Sequence, residues 1–407
     1  MARYLSIEDL DLRGKAVFLR VDINSPIDPK TGRILDDSRI RSTKETLDAL
    51  SESKVVMGAH QGRPGDEDFT SLSGHAELLE RSSGRRVEFV EDIFGPLARR
   101  AIGELGAGDV LLLENLRFAS EEVLEAPPEV LARTHLVRGL APLLDAYVND
   151  AFATAHRASA SLVGFPELLP SAAGKLMDRE LRALEAVTGS PERPCVFVVG
   201  GAKIGDKVPV VRNALERGYA DRVLLGGLVA KVFLRAAGFE LGGRDEEALS
   251  KKGALVEMAK EALRRWGDKI AMPKDVAVKG DGGRVEVPIQ RMREFDSSMD
   301  LGRGTVDEYS SIMRGAGTIV ASGPMGVFEE GDFEFGTRAV LEGMANSKAF
   351  KVIGGGHLAV LAHALGISER FSHVSTGGGA LLKLLAGEPL PAIEALRKSA
   401  ERSRIKA

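Results

Sequence analysis

Four arginines and a histidine stand where the first half of the chain offers short apolar runs a way out. One run ends in Asp22-Ile-Asn24, the next in His60-Gln-Gly-Arg63, a third in Asn115-Leu-Arg117, and a fourth in Asn149-Asp150 with His156-Arg157 soon after. Arg39 lies in Asp36-Asp-Ser-Arg-Ile-Arg41, just ahead of a helical pattern. Singly, each arginine reads as a solvated surface charge and His60 as a satisfied strand-end histidine. Gathered on one sheet edge, Arg39, Arg63, Arg117 and Arg157 would repel one another. An anion with oxygens for bidentate pairing, phosphate or carboxylate, would relieve that repulsion.

The second half carries a different signal. Cys195–Val199 runs into Gly200-Gly-Ala-Lys-Ile-Gly-Asp-Lys207, residues 351–353 into Gly354-Gly-Gly-His357, and His373–Ser375 into Thr376-Gly-Gly-Gly379. A glycine turn lets backbone approach a ligand closely, and a following helix offers free N–H groups to an anion. Gly200 and Gly205 have Walker A spacing, but Asp206-Lys207 follows where Lys-Ser/Thr is needed, and GxGxxG is absent. A single cluster would fit tight strand-to-helix packing equally well. Three in one region point to polyphosphate.

These residues need elements to hold them. Candidate strands lie at 16–21, 54–59, 87–90, 110–113 and 146–148, with helical segments at 42–51, 75–81 and 96–105. Alternation of this kind implies a parallel sheet covered on both faces. In such sheets ligands bind at the carboxyl ends of strands. Residues 174–188 read as one helix, with Met177, Leu181, Leu184 and Val187 in a stripe, closed by Gly189-Ser190-Pro191. Strands resume at 194–199, 222–225, 318–321 and 351–353. The expected fold class is α/β, two domains with parallel sheets, with residues 174–188 as the connector between them. No repeat of 20–50 residues is visible, and the tail carries only a short stripe, Ile393 and Leu396.

At 407 residues the chain is too long for one ordinary core. The 44% hydrophobic and 28% charged fractions are those of a globular protein, and a net charge of −4 gives nucleic acid nothing global to bind. Cys195 is the only cysteine, which excludes an internal disulfide and a cysteine-rich zinc site and fits a reducing cytoplasm. Residues 1–14, with Glu8, Asp9 and Asp11, do not form a signal peptide, and no apolar run is long enough to span a membrane.

An anionic acid on one lobe and a nucleotide on the other suggest phosphoryl transfer, which needs in-line positioning and positive charge more than covalent chemistry. A carboxylate acceptor would need no general base, being ionised at neutral pH. The specific motifs are Arg20-Val-Asp-Ile-Asn-Ser-Pro26, His60-Gln-Gly-Arg-Pro64, Leu113-Glu-Asn-Leu-Arg-Phe118, Asn149-Asp-Ala-Phe-Ala-Thr-Ala-His-Arg157, Gly200–Lys207, Gly323-Pro-Met-Gly-Val-Phe-Glu329 and Ser375-Thr-Gly-Gly-Gly-Ala380. In this order, over nearly the whole chain, they resemble phosphoglycerate kinase.

The resemblance implies reversible transfer of the acyl phosphate of 1,3-bisphosphoglycerate to ADP, giving ATP and 3-phosphoglycerate, by domain closure. It implies two Rossmann-like three-layer lobes with parallel sheets joined by a helix: a glycerate-binding lobe at 1–173, a connecting helix at 174–188 and a nucleotide-binding lobe at 189–390, with the tail 391–407 returning to the first lobe. Asp22, Ile23, Asn24, Arg39, His60, Gln61, Gly62, Arg63, Arg117 and Arg157 are the implied substrate site. Gly201, Ala202, Lys203, Lys207, Glu329, Gly355, Gly356, His357 and Leu358 are the implied nucleotide site, with Glu329 on the ribose. Catalysis falls to Arg39, Lys203, Lys207 and the N–H groups of Gly378 and Gly379, at a helix start opened by Gly377. Mg²⁺ is carried by the nucleotide, with no metal ligand assigned in the protein. The implied enzyme is cytoplasmic, without nucleic-acid or membrane partners, and a monomer, with a homodimer as the alternative.

His357 departs from the family's usual Asp at a magnesium-linked position, and Leu358, Ser322, Ser159 and Ser25 depart from its usual Thr, Asn, His and Val. The pattern is similar to archaeal members. Two competing readings remain to be weighed. One is a two-lobed protein that closes on an anion without chemistry, disfavoured by Lys203, Lys207 and Glu329. The other is a nucleotide-dependent dehydrogenase, disfavoured by the missing GxGxxG.

Overall fold

Residues 4–406 are described by a computed structural model, in which the chain forms two units. The first takes the chain up to Leu181 and again from Pro389, and the second runs Arg182–Glu388. The division falls inside the helix Lys175–Thr188.

The first unit is built on β1 (Ala16–Arg20), β2 (Lys54–Gly58), β3 (Val87–Val90), β4 (Val110–Leu113), β5 (Ala146–Asn149) and β6 (Ser171–Ala173). They form one sheet in the order β3-β4-β2-β1-β5-β6, parallel at every pairing. Every residue of β4 and β5 is buried, as expected where helices cover both faces of a sheet. Arg20 lies opposite both Gly58 and Asn149, so β1, β2 and β5 end level. The residues that follow, from Asp22, His60 and Asp150 onward, therefore leave the sheet along one edge.

β6 was not anticipated. Its Ser-Ala-Ala sequence has no apolar run, and it is held at the sheet edge by pairing with β5. The C-terminal helix Pro391–Lys406 packs on this unit through Ile393 and Leu396, both buried. The Ala392 N–H donates to the Ala155 carbonyl, and Arg402 pairs with Glu167 at 3.0 Å.

The N-terminus of the helix Lys175–Thr188 has a buried acidic cap. Asp150 Oδ1 accepts the Met177 N–H at 3.0 Å. Asp150 Oδ2 accepts the Thr46 hydroxyl at 2.6 Å, and that hydroxyl accepts the Lys175 N–H at 3.0 Å. A carboxylate here complements the helix dipole and satisfies orphan N–H groups. Burial outweighs these bonds and pushes the Asp150 pKa up to about 6.

The second unit holds β7 (Cys195–Val199), β8 (Arg222–Leu225), β9 (Ile270–Ala271), β10 (Asp275–Gly280), β11 (Gly283–Pro288), β12 (Ser298–Leu301), β13 (Thr318–Ser322), β14 (Phe350–Gly354) and β15 (His373–Ser375). The parallel sheet runs β15-β14-β13-β7-β8-β9. Ser322 lies opposite Val199 and Gly354, and Gly354 opposite Ser375, so four strands stop in line.

A separate antiparallel sheet, β11-β10-β12, adds to the two parallel sheets expected. β11 is largely exposed and carries Arg284 and Glu286, so it has no apolar run to read. Its hairpin turn is Asp281-Gly282, an Asp-Gly pair that suits a two-residue turn.

Candidate active site

In the first unit, side chains at three strand ends are locked together by hydrogen bonds. Asn115, past β4, uses all of its amide. Oδ1 accepts the Gln61 and Arg117 N–H groups at 3.2 and 3.1 Å, and Nδ2 donates to the Gln61 and Thr70 carbonyls at 2.8 Å. Asn24 Oδ1 accepts the Gly62 N–H at 2.9 Å, tying the loop after β1 to the loop after β2. The Gly62 carbonyl accepts from the Arg117 guanidinium.

This bracing presents cations at one cavity of about 180 Å³, lined by His60, Arg63, Arg117 and Arg157 among others. Arg63 is exposed and Arg157 half-buried, and among the described residues neither guanidinium is seen in an ion pair. Burial lowers the Arg157 pKa, and the charge of Arg63 adds to it. Arg39 instead pairs with Asp22 at 2.7 Å, half-exposed, on the short helix Ser38–Arg41. Asp22 and Arg39 do not line the cavity.

Two residues expected at the substrate are turned inward. Ile23 is wholly buried in the apolar core. Gln61 is wholly buried too. Its Oε1 accepts the Ser25 N–H at 2.9 Å and its Nε2 donates to the Ser25 and Asp68 carbonyls. Its side chain braces loops and has nothing left for a ligand. Two residues that sequence reasoning assigned no role, Arg20 and Glu122, line the same cavity, buried and ion-paired at 3.6 Å. The available signal was an arginine closing an otherwise apolar strand, a charge that needs a buried counter-charge.

The second unit gathers backbone. The Gly227 N–H donates to the Met325 carbonyl at 2.7 Å, and a Cβ on Gly227 would sit 2.6 Å from the Gly201 nitrogen. Gly201 and Gly323 take φ of 88° and 81°, which disfavours any residue with a side chain. The buried Lys207 ammonium lies among these turns, donating to the Gly200 carbonyl and to the Ser322 carbonyl at 3.0 Å. Burial, then the charge of Lys203, brings its pKa down to about 8.

Lys203 and Ala202 are exposed, just ahead of the helix Ile204–Glu216. The helices Gly356–Ala364 and Gly378–Leu385 start side by side, since a Cβ on Gly378 would lie 2.8 Å from the Gly355 Cα. His357 is exposed at the first of these starts, its ring 5.4 Å from that of Phe328. Glu329 is exposed as well. Leu358 is a core residue, so only its backbone can meet a ligand. Helix starts, glycine turns and a lysine at the ends of adjacent strands suit polyphosphate. Among the described residues, no three His, Cys, Asp or Glu side chains cluster closely enough to hold a metal ion, and no helix is long and apolar enough to cross a membrane.

The family model for phosphoglycerate kinase matches residues 7–388. A phosphoglycerate kinase of Methanothermus fervidus is 47% identical over 407 residues, 99% of each chain. That of Methanopyrus kandleri is 47% identical over 96% of this chain and 97% of its own. The crystal structure of phosphoglycerate kinase from Pyrococcus horikoshii OT3 matches with a TM-score of 0.89 at 44% identity, covering 98% of this chain and 99% of that one. The structure of the enzyme from Coxiella burnetii matches with a TM-score of 0.81 at 32% identity, covering 97% and 99%.

Proposed function

The chain belongs to the phosphoglycerate kinase family, and from that premise we propose that its first unit binds the glycerate and its second the nucleotide. The activity is a phosphotransfer: the acyl phosphate of 1,3-bisphosphoglycerate passes reversibly to ADP, giving ATP and 3-phosphoglycerate. The observation that carries the division of roles is the contrast between strand ends. Those of the first unit bear His60, Arg63, Arg117 and Arg157 around one cavity, while those of the second bear glycine turns around Lys207.

In this reading Arg63, Arg117, Arg157 and His60 grip the glycerate's phosphate end, with Asp22 and Asn24 at its hydroxyl and carboxyl side. Arg39 exchanges its Asp22 partner for the charge that shifts at the reacting carboxylate. Lys207, Lys203 and the N–H groups of Gly378 and Gly379 stabilise the phosphoryl group in flight, where fixed donors act most strongly. Gly201, Ala202, Gly355 and Gly356 let backbone approach the phosphates, and Glu329 takes the ribose. In the reverse direction the attacking carboxylate is already ionised, so no general base is required.

Magnesium enters with the nucleotide and neutralises phosphate charge. It prefers hard oxygens, so the His357 imidazole serves a phosphate oxygen or a bound water rather than the ion. The working species is a cytoplasmic monomer whose units close during turnover, excluding water from the transfer. A contraction of the radius of gyration with both substrates supports closure, and a dimer mass in sedimentation counts against the monomer. Purified protein with ADP, Mg²⁺ and 1,3-bisphosphoglycerate should form ATP in a coupled assay. Binding of both ligands without ATP formation would leave the two-lobed anion binder as the better reading.

A further inference from the structure

Arg20 and Glu122 have no part in the roles just given, yet they are 1% and 4% exposed beside the first unit's cavity. Buried charges persist when paired and hydrogen-bonded. Glu122 Oε1 stands 3.6 Å from the Arg20 guanidinium. The carboxylate also accepts the Ser159 hydroxyl at 3.0 Å, the Ser161 hydroxyl at 2.6 Å and the Ser161 N–H at 2.9 Å. Arg20 donates its Nε–H to Ser161 Oγ at 2.7 Å and one terminal group to the Val21 carbonyl. The guanidinium is thus held at several points.

The other terminal nitrogen of Arg20 lies 3.2 Å from His60 Nδ1. A guanidinium carries five N–H donors and no acceptor. Nδ1 must therefore be the acceptor and carry no proton, which leaves the proton of a neutral imidazole on Nε2. A second proton on Nδ1 would face the guanidinium directly. Burial, then the charges of Arg20, Arg157 and Arg39, hold the His60 pKa well below the ordinary histidine value. His60 lines the cavity.

We propose that Arg20, fixed by Glu122 with Ser159 and Ser161, is a positioning residue that locks His60 as its neutral Nε2–H tautomer. His60 then enters the cavity as a hydrogen-bond donor, never as an acceptor, and so favours an oxygen anion there. The donor's role toward substrate rests on reading this cavity as the glycerate site. The tautomer itself does not.

Long-range proton–nitrogen correlation of the imidazoles tests the lock, with His60 assigned by the signal lost in His60→Gln. The ligand-free wild type should show His60 with a proton on Nε2 only, unchanged between pH 8 and 5.5. Glu122→Gln should release Arg20, mix the tautomers and raise KM for 3-phosphoglycerate about tenfold, with kcat within about threefold. A proton on Nδ1 in the wild type, or an imidazolium at neutral pH, overturns the proposal even if the variant fails to fold. So does a folded Glu122→Gln with tautomer and KM both unchanged. Added 3-phosphoglycerate should move the Nε2–H signal. A locked tautomer that ignores this ligand would refute the glycerate reading and leave the lock standing.

Discussion

The two units meet the same problem, holding a multiply charged anion at the edge of a parallel sheet, with different material. The first uses side chains. Arginines reach into its cavity, and Asn24, Gln61 and Asn115 spend their amides on bracing the loops that carry them. The second uses backbone, with glycines at the ends of β7, β13 and β14 and just past β15, and with one buried lysine. A small rigid acid must be told from its analogues, and forked guanidinium pairs supply direction. A transferring phosphoryl group needs charge close by, and close approach requires the absence of side chains. The side-chain site should lose one contact per substitution. The backbone site should fail as a unit, because its turns touch one another.

The sharpest break is expected at Lys207. Lys207→Ala removes the buried cation that lies among those turns and should lower kcat by about 10²–10³-fold, the range for a lost transition-state donor. Retention of half the activity would remove Lys207 from the transfer. The same residue carries a pH signature. Its folded pKa of about 8 lies below the ordinary lysine value of 10.5. Between these values the unfolded chain binds a proton that the fold has shed, so stability rises with pH across that window. The gain is at most about 3 kcal/mol, from the tenfold-per-unit relation. Urea unfolding at pH 7.5 and 9.5 should show the rise in the wild type and lose it in Lys207→Met. Nucleotide affinity should fall as pH passes about 8, when the ligand-free ammonium deprotonates.

Arg39 should come next. Arg39→Ala leaves Asp22 without its partner and should lower kcat by about 10²-fold. Arg63→Ala, whose guanidinium is exposed at the cavity, should act mainly on KM for 3-phosphoglycerate. Steady-state kinetics in which both variants change only KM would make the first unit a uniform binding surface. The smallest effect belongs to His357. His357→Ala should keep magnesium-dependent activity within about tenfold, as for a group that reaches the ion only through others. A direct magnesium–imidazole bond in a nucleotide complex would contradict this.

Much of this contrast was legible in the residues. Apolar runs such as 110–113 and 222–225 are strands with those bounds, because burial on both faces leaves a continuous signal. Residues that leave level strand ends could be named because parallel register gathers them. Other features left no such trace. β9 is two residues long, and β11 is exposed and charged, so neither makes a run. Glu122 meets Arg20 from 102 positions away, a pairing that spacing does not reveal. Ile23, Gln61 and Leu358 share motifs with site residues, but the chain turns their side chains inward.

The division of labour is tested most directly by calorimetric titration of 3-phosphoglycerate and of Mg-ADP into the wild type, Arg63→Ala and Lys207→Ala. The account predicts that Arg63→Ala weakens 3-phosphoglycerate by about tenfold or more and leaves Mg-ADP unchanged, while Lys207→Ala does the reverse. Loss of 3-phosphoglycerate binding in Lys207→Ala, with Mg-ADP binding intact, would contradict it.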